Sequence, residues 1–223
     1  MGYRNNLASV IQHLASRGYK ISTVFDIGAH RGSWFTQYLP HMPDAQFILF
    51  EANPCLGRPK HLASQHIWIN AALSSGVTDK QFFRVNGSGD SFYKERSTAY
   101  TVCEQITLTT TTLDTMAQAH NLPAPQLIKL DVQGSEMDVL LGGPTLLESV
   151  DVIVTEMSVL PDPLSYNVGC ASFDTYMKFL IDHDYVPVGV EELHCPDNRF
   201  VQMDVVFLKR NIKIKYYGER HHN

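Results

Sequence analysis

Four acidic residues in this chain each close an apolar run at the mouth of a turn. They are Asp26 in Asp26-Ile-Gly28-Ala29-His30-Arg-Gly32, Glu51 in Glu51-Ala52-Asn53-Pro54, Asp131 in Asp131-Val-Gln133-Gly-Ser-Glu136, and Glu156. A carboxylate accepts hydrogen bonds through two oxygens, balances a nearby positive charge and takes a proton, so several at one edge suit binding and acid–base chemistry. Gly28 and Gly32 permit a tight turn and a close backbone approach, and a helix starting there offers free N–H groups. Their spacing is GxxxG, not the GxGxxG of dinucleotide binding, which weakens a pyrophosphate reading. Glu51 is placed to accept both hydroxyls of an adenosine ribose through its two oxygens.

These residues need elements to hold them. Leu7, Val10, Ile11 and Leu14 recur at helical spacing, and Gly18 ends that helix. Runs rich in β-branched and aromatic residues predict strands at 21–27, 45–51, 66–70, 126–131 and 150–156, with later strands at 185–190 and 202–208. Helices are expected at 33–39, after Pro54, near 113–120, from 135 to about 141, and at 173–182. Residues 80–112 alternate and are rich in hydroxyls, which reads as strand and loop at or beside the sheet, with Asp90 over the site on a flap. The alternation of strands and helices predicts an α/β domain, a mostly parallel sheet with helices on both faces. The last two strands, joined by the loop Glu-Glu-Leu-His-Cys-Pro-Asp-Asn-Arg, should pair antiparallel. In such a sheet ligands bind outside the carboxyl ends of the strands, where the four acids lie. The expected organisation is an N-terminal helix over 1–20 packed on one domain over 21–210, then a basic, solvated tail over 211–223.

Composition narrows the classes. The 223 residues are 44% hydrophobic and 10% aromatic, enough for one large core and too apolar for a disordered chain. Lys and Arg number 18 against 23 Asp and Glu, leaving no global basic field for a nucleic-acid backbone. Four scattered cysteines without a CxxC pair read as reduced thiols, and no apolar stretch reaches membrane-spanning length. A cytoplasmic location is the resulting expectation, with no nucleic-acid partner and no membrane insertion; the oligomeric state is not written in the sequence.

The ordered set VFDIGAHRG, LFEANP, TTTLDTM and LIKLDVQGSEMDVLLGG resembles the FkbM-type family, a branch of the class I S-adenosylmethionine-dependent methyltransferases. The resemblance runs from about Thr23 to Leu208 and implies a single-domain Rossmann-like fold, a seven-stranded sheet with a reversed final strand. It also implies methyl transfer from S-adenosylmethionine to a hydroxyl on a sugar, lipid or other small molecule. Under it, the loop of Asp26, Gly28, Ala29, His30 and Gly32 cradles the methionine part, Glu51 and Ala52 hold the ribose, and Asn70, Ala71 and Ala72 lie by the adenine. Asp131 faces the methyl group and the acceptor. Two departures stand out: His30 where the family often has Asn, and Gln133 where Glu is frequent.

Methyl transfer needs alignment of acceptor oxygen, methyl carbon and sulfur, and removal of the hydroxyl proton. Asp131 is the expected orienting residue or base, with Glu136 and Glu156 in support and Lys129 holding a carboxylate. Asp131 and Glu136 alone are a thin basis for a hard cation, so no metal site is assigned. Tyr166 and Asn167 are candidates for the acceptor pocket. The rival readings are an NAD-dependent oxidoreductase and a non-catalytic cofactor-binding module.

Overall fold

The computed structural model describes residues 6–85, 87–96, 102–160, 164–165, 167–195 and 198–217. The first half of the chain runs α1 (Leu7–Ser16), β1 (Thr23–Ile27), α2 (Ser33–Tyr38), β2 (Gln46–Glu51), β3 (Ile67–Asn70), β4 (Asp79–Val85) and β5 (Val102–Thr109). The second half runs α3 (Leu113–Ala119), β6 (Leu127–Leu130), α4 (Glu136–Leu141), α5 (Pro144–Leu147), β7 (Val152–Ser158), α6 (Phe173–Asp182), β8 (Tyr185–His194), β9 (Gln202–Lys209) and α7 (Arg210–Tyr217). Seven strands form one sheet in the order β3-β2-β1-β6-β7-β9-β8. The pairs from β3 to β7 are parallel, and β9 runs antiparallel to both β7 and β8. The expected α/β plan with its reversed last strand is therefore the one observed.

Successive side chains on a strand point to opposite faces. Phe25, Ile27, Ile48, Phe50, Ile128, Leu130, Ile153 and Phe207 meet the helices α3 to α6 on one side. Val24, Phe47, Leu49, Leu127, Val152, Val154, Val206 and Leu208 meet α1, α2 and α7 on the other. Because both faces are covered, β1, β2, β6 and β7 read as continuous apolar runs. Leu7, Val10, Ile11 and Leu14 of α1 are all buried, each contributing about 1.5–3 kcal/mol by leaving water.

Within residues 80–112, β4 and β5 pair as a separate antiparallel ribbon beside the main sheet, here termed the arm. The structure departs from the sequence expectations in three places. The segment after Pro54 forms no α-helix; Pro54, Gly57 and Pro59 interrupt it, and Arg58 donates to the carbonyls of Leu62, Ala63 and His66 in place of a helical ladder. Residues Glu191–His194, read as loop, extend β8. The tail forms α7, whose Ile212 packs in the core beside α1, while residues 218–223, like residues 1–5 and Tyr166, lie outside the described residues.

Candidate active site

The carboxyl ends of β1, β2, β3 and β6 open into a cleft. From the expected site, Gly28, His30, Glu51, Ala52, Ala71 and Asp131 line it. The β1 loop turns sharply to get there. Gly28 has φ +80°, and a Cβ on it would sit 1.8 Å from the carbonyl oxygen of Asp131, so only glycine lets the two loops meet. His30 also takes a left-handed conformation, which aims its backbone N–H at Glu51.

Glu51 is buried at the end of β2. Its Oε2 accepts from His30 N at 2.7 Å and its Oε1 from Asn53 N at 2.8 Å. Burial raises its pKa, opposed by those two backbone hydrogen bonds. Each oxygen has a lone pair to spare, so the carboxylate is pinned in place and still able to accept from a pair of vicinal hydroxyls. The donor set thus fits a ribose, and the apolar lining of Phe50, Ala71, Leu73, Phe82 and Phe92 fits a flat base.

Other expected residues lie behind this surface. Asp26 is fully buried and outside the cleft lining, and its charge is compensated chiefly by Lys129 Nζ at 3.4 Å. Burial raises the Asp26 pKa against the pull of Lys129. Lys129 is buried too, and its ammonium also stands 3.4 Å from Asp131 and 3.3 Å from the Gly28 carbonyl. Burial alone would lower its pKa, but Asp131, Asp26 and Asp204 outweigh it and raise it. Lys129 therefore fixes the β1 loop to the β6 loop from below. Ala29, Gly32 and Ala72 do not line the cleft, and Asn70 braces the β2 loop by donating to the carbonyls of Asn53 and Leu56.

Beyond Asp131 lies a second, polar pocket lined by Asp131, Glu156, Glu192, His194, Gln202, Met203 and Asp204. Gln133, itself at φ +54°, donates from Nε2 to Asp131 Oδ1 at 2.8 Å and Glu156 Oε2 at 3.3 Å. Gln202 donates to the same Glu156 oxygen at 3.1 Å. Burial, then the charges of Asp131, Glu136 and Asp204, raise the Glu156 pKa well above the usual carboxylate range. Burial first, then the charges of Asp131, Glu192 and Glu136 against the pull of Lys129, push Asp204 up to about 7. Glu136 is set apart: its buried carboxylate accepts from the N–H groups of Val132 and Gly134 and from the Tyr176 hydroxyl, shaping the β6 loop from inside. Among the described residues no group of three or more His, Cys, Asp or Glu side chains is arranged to hold a metal ion.

Several lining residues carry no motif in the sequence. Phe82, Ser88, Asp90 and Phe92 reach the cleft from the arm. Asp90 accepts from Asn53 Nδ2 at 2.6 Å, and Ser91 Oγ donates to the Gln133 carbonyl at 2.6 Å, so the arm is tied to both the β2 and β6 loops. Asp204 and Gln202 sit in an alternating strand, where a polar residue reads as solvent-facing. Asn167 is buried, with its Oδ1 3.5 Å from Gln202 Nε2.

The sheet order and the cleft at the carboxyl ends define a Rossmann-like methyltransferase fold. Residues 26–187 match the Methyltransferase FkbM domain. The chain belongs to the FkbM methyltransferase family, whose domain uses S-adenosylmethionine, and this membership disfavours the oxidoreductase alternative. It is 28% identical over 155 residues to the 2-O-methyltransferase NoeI of Sinorhizobium fredii, covering 60% of this chain and 63% of that protein. It is 33% identical over 58 residues to the hexuronic acid methyltransferase AglP of Haloferax volcanii, 26% of this chain and 24% of that one. The solved precorrin-6y C5,15-methyltransferase of Geobacter metallireducens GS-15 aligns over 91% of this chain and 87% of its own at 16% identity and a TM-score of 0.46. Among the described residues no helix is long and apolar enough to cross a membrane.

Proposed function

We propose that this protein methylates a hydroxyl of a carbohydrate, with S-adenosylmethionine held in the cleft and the acceptor in the acidic pocket beyond it. The observation that carries this reading is the position of Asp131, which lines both cavities. The bound cofactor supplies an electrophilic sulfonium methyl group. Glu51 holds the ribose hydroxyls, and the Gly28–His30 turn receives the amino-acid end. Asp131 lies where the two ligands meet; it orients the acceptor hydroxyl and takes its proton as the new O–C bond forms, while the sulfur keeps the electrons of the broken C–S bond. Gln133 keeps the Asp131 carboxylate aimed. Burial and the surrounding carboxylates raise the Glu156 pKa well above the usual carboxylate range, and since its Oε2 accepts from Gln133 and Gln202, its Oε1 is left for a second acceptor hydroxyl.

A lining made of carboxyls and amides suits a ligand bearing many hydroxyl donors, such as a sugar. NoeI and AglP, named for 2-O-methylation and for hexuronic acid methylation, support a carbohydrate hydroxyl as the target. The acidic lining here disfavours a uronate carboxylate in the pocket and favours a neutral or amino sugar.

The test is calorimetric titration with S-adenosylhomocysteine, followed by transfer of labelled methyl to a panel of neutral, amino and uronic sugars. Asp131→Ala should retain cofactor affinity within a few-fold and lose transfer. Absence of binding by the wild type, or undiminished transfer by the variant, overturns the reading. Binding without transfer to any acceptor is the outcome expected of a non-catalytic module.

A further inference from the structure

The serine that opens α4 does not cap it. A serine before a helix normally accepts a hydrogen bond from the second or third helical N–H group. Ser135 has φ −93° and ψ 5°, outside the extended conformation that such a bond requires, and makes no side-chain cap bond. The nearby N–H groups of Val132 and Gly134 are served by the Glu136 carboxylate. Ser135 Oγ is consequently buried, at 2% exposure for the residue, without a hydrogen-bond partner, and the residue lines the cleft. An unsatisfied buried hydroxyl costs about 1–3 kcal/mol, so it stands ready for a partner from outside the chain.

Its surroundings say which part of a ligand that partner is. Lys80 of the arm donates to Ser74 Oγ and pairs with Asp138 of α4, both at 2.9 Å, and its ammonium lies 5.8 Å from the centre of the Phe92 ring. The segment after β3, the first turn of α4 and the arm therefore converge beside Phe92. Phe92 and Phe82 pack edge to face with centroids 5.1 Å apart, and Ala71 and Leu73 complete an apolar wall. The charged and diol-binding groups, Glu51 and Asp131, belong to other parts of the cofactor.

Resting on the proposed cofactor, we infer that Ser135 hydrogen-bonds the edge of its purine base, which lies against the apolar wall that Phe82 and Phe92 of the arm form with Ala71 and Leu73. A hydroxyl can donate to a ring nitrogen or accept from the exocyclic amine, so one group distinguishes adenine from a base with a changed edge.

The experiment is a double-mutant cycle by calorimetry, wild type against Ser135→Ala. The ligands are S-adenosylhomocysteine and analogues in which N1, N3 or N7 is replaced by CH or the exocyclic amine is dimethylated. The expected result is a loss of about 3–10-fold for the variant with the parent ligand, and a similar loss for the wild type with one analogue. Those two losses must not add. The unliganded melting temperature should be unchanged or higher, since the hydroxyl removed has no partner. Equal affinities of the two proteins for the parent ligand, or losses that add for every analogue, overturn the inference while leaving the cofactor reading intact. Failure of the wild type to bind S-adenosylhomocysteine overturns both.

Discussion

Glu156 and Asp204 stand opposite each other across the antiparallel pair of β7 and β9. Like charges directly opposite on adjacent strands destabilise a sheet, and here both carboxyls are drawn from water as well. The structure accommodates them by holding protons that free carboxylic acids would lose.

Stability should record this. Asp204 binds its proton more tightly folded, with a pKa of about 7, than unfolded, near 3.8. Its contribution is fully present below about pH 4 and is lost as pH rises through 7. The advantage of Asp204→Asn over wild type should therefore grow between pH 4 and 7 and level off above, reaching at most about 4 kcal/mol. Urea unfolding at four pH values measures it; a difference independent of pH would contradict the assignment.

Lys129 is the cation on which two loops depend. Lys129→Met leaves Asp26 buried without its chief compensation and should cost about 3–5 kcal/mol of stability in urea. Adding Asp26→Asn should recover much of that loss, since the charge needing a partner is then gone. An additive double variant would show that the pair acts only through packing.

Glu51→Gln offers one oxygen where two are used. Its amide NH2 would face the N–H of either His30 or Asn53, and the ribose would lose a charged acceptor. Affinity for S-adenosylhomocysteine should fall by at least about 10-fold, equivalent to the 1.5–3 kcal/mol typical of a hydrogen bond to a charged group. Unchanged affinity would remove Glu51 from the ribose site.

What the sequence made legible followed burial on two faces. Val24–Phe25 and Phe47–Phe50 are apolar and buried because helices cover both sides, and the acids that follow them, Asp26 and Glu51, stand out against such runs. The edge strand β8 is mostly exposed past Val188, so Glu191–His194 carry no strand pattern and read as loop. Asp204 escaped notice because a polar residue in an alternating strand has an ordinary explanation, and only the three-dimensional pairing with Glu156 removes it. Ser135 hid for the same reason, since a serine before a helix reads as a cap. The segment after Pro54 carries apolar residues but Pro54, Gly57 and Pro59 break any helix there, and Arg58 instead satisfies the carbonyls of Leu62, Ala63 and His66.

The strand that follows β8 in the chain lies inside it in the sheet, between β7 and β8. On the ribosome, β7 and β8 therefore emerge with no way to reach each other until residues 202–209 have been made. Until then the apolar edge of β7 is open to pairing with other chains, and every residue that lines the larger cleft, the last being Ser135, has been made while the polar pocket beyond Asp131 still lacks Gln202 and Asp204. Synthesis order thus supplies the first cavity early and withholds the second until the last strand slots in.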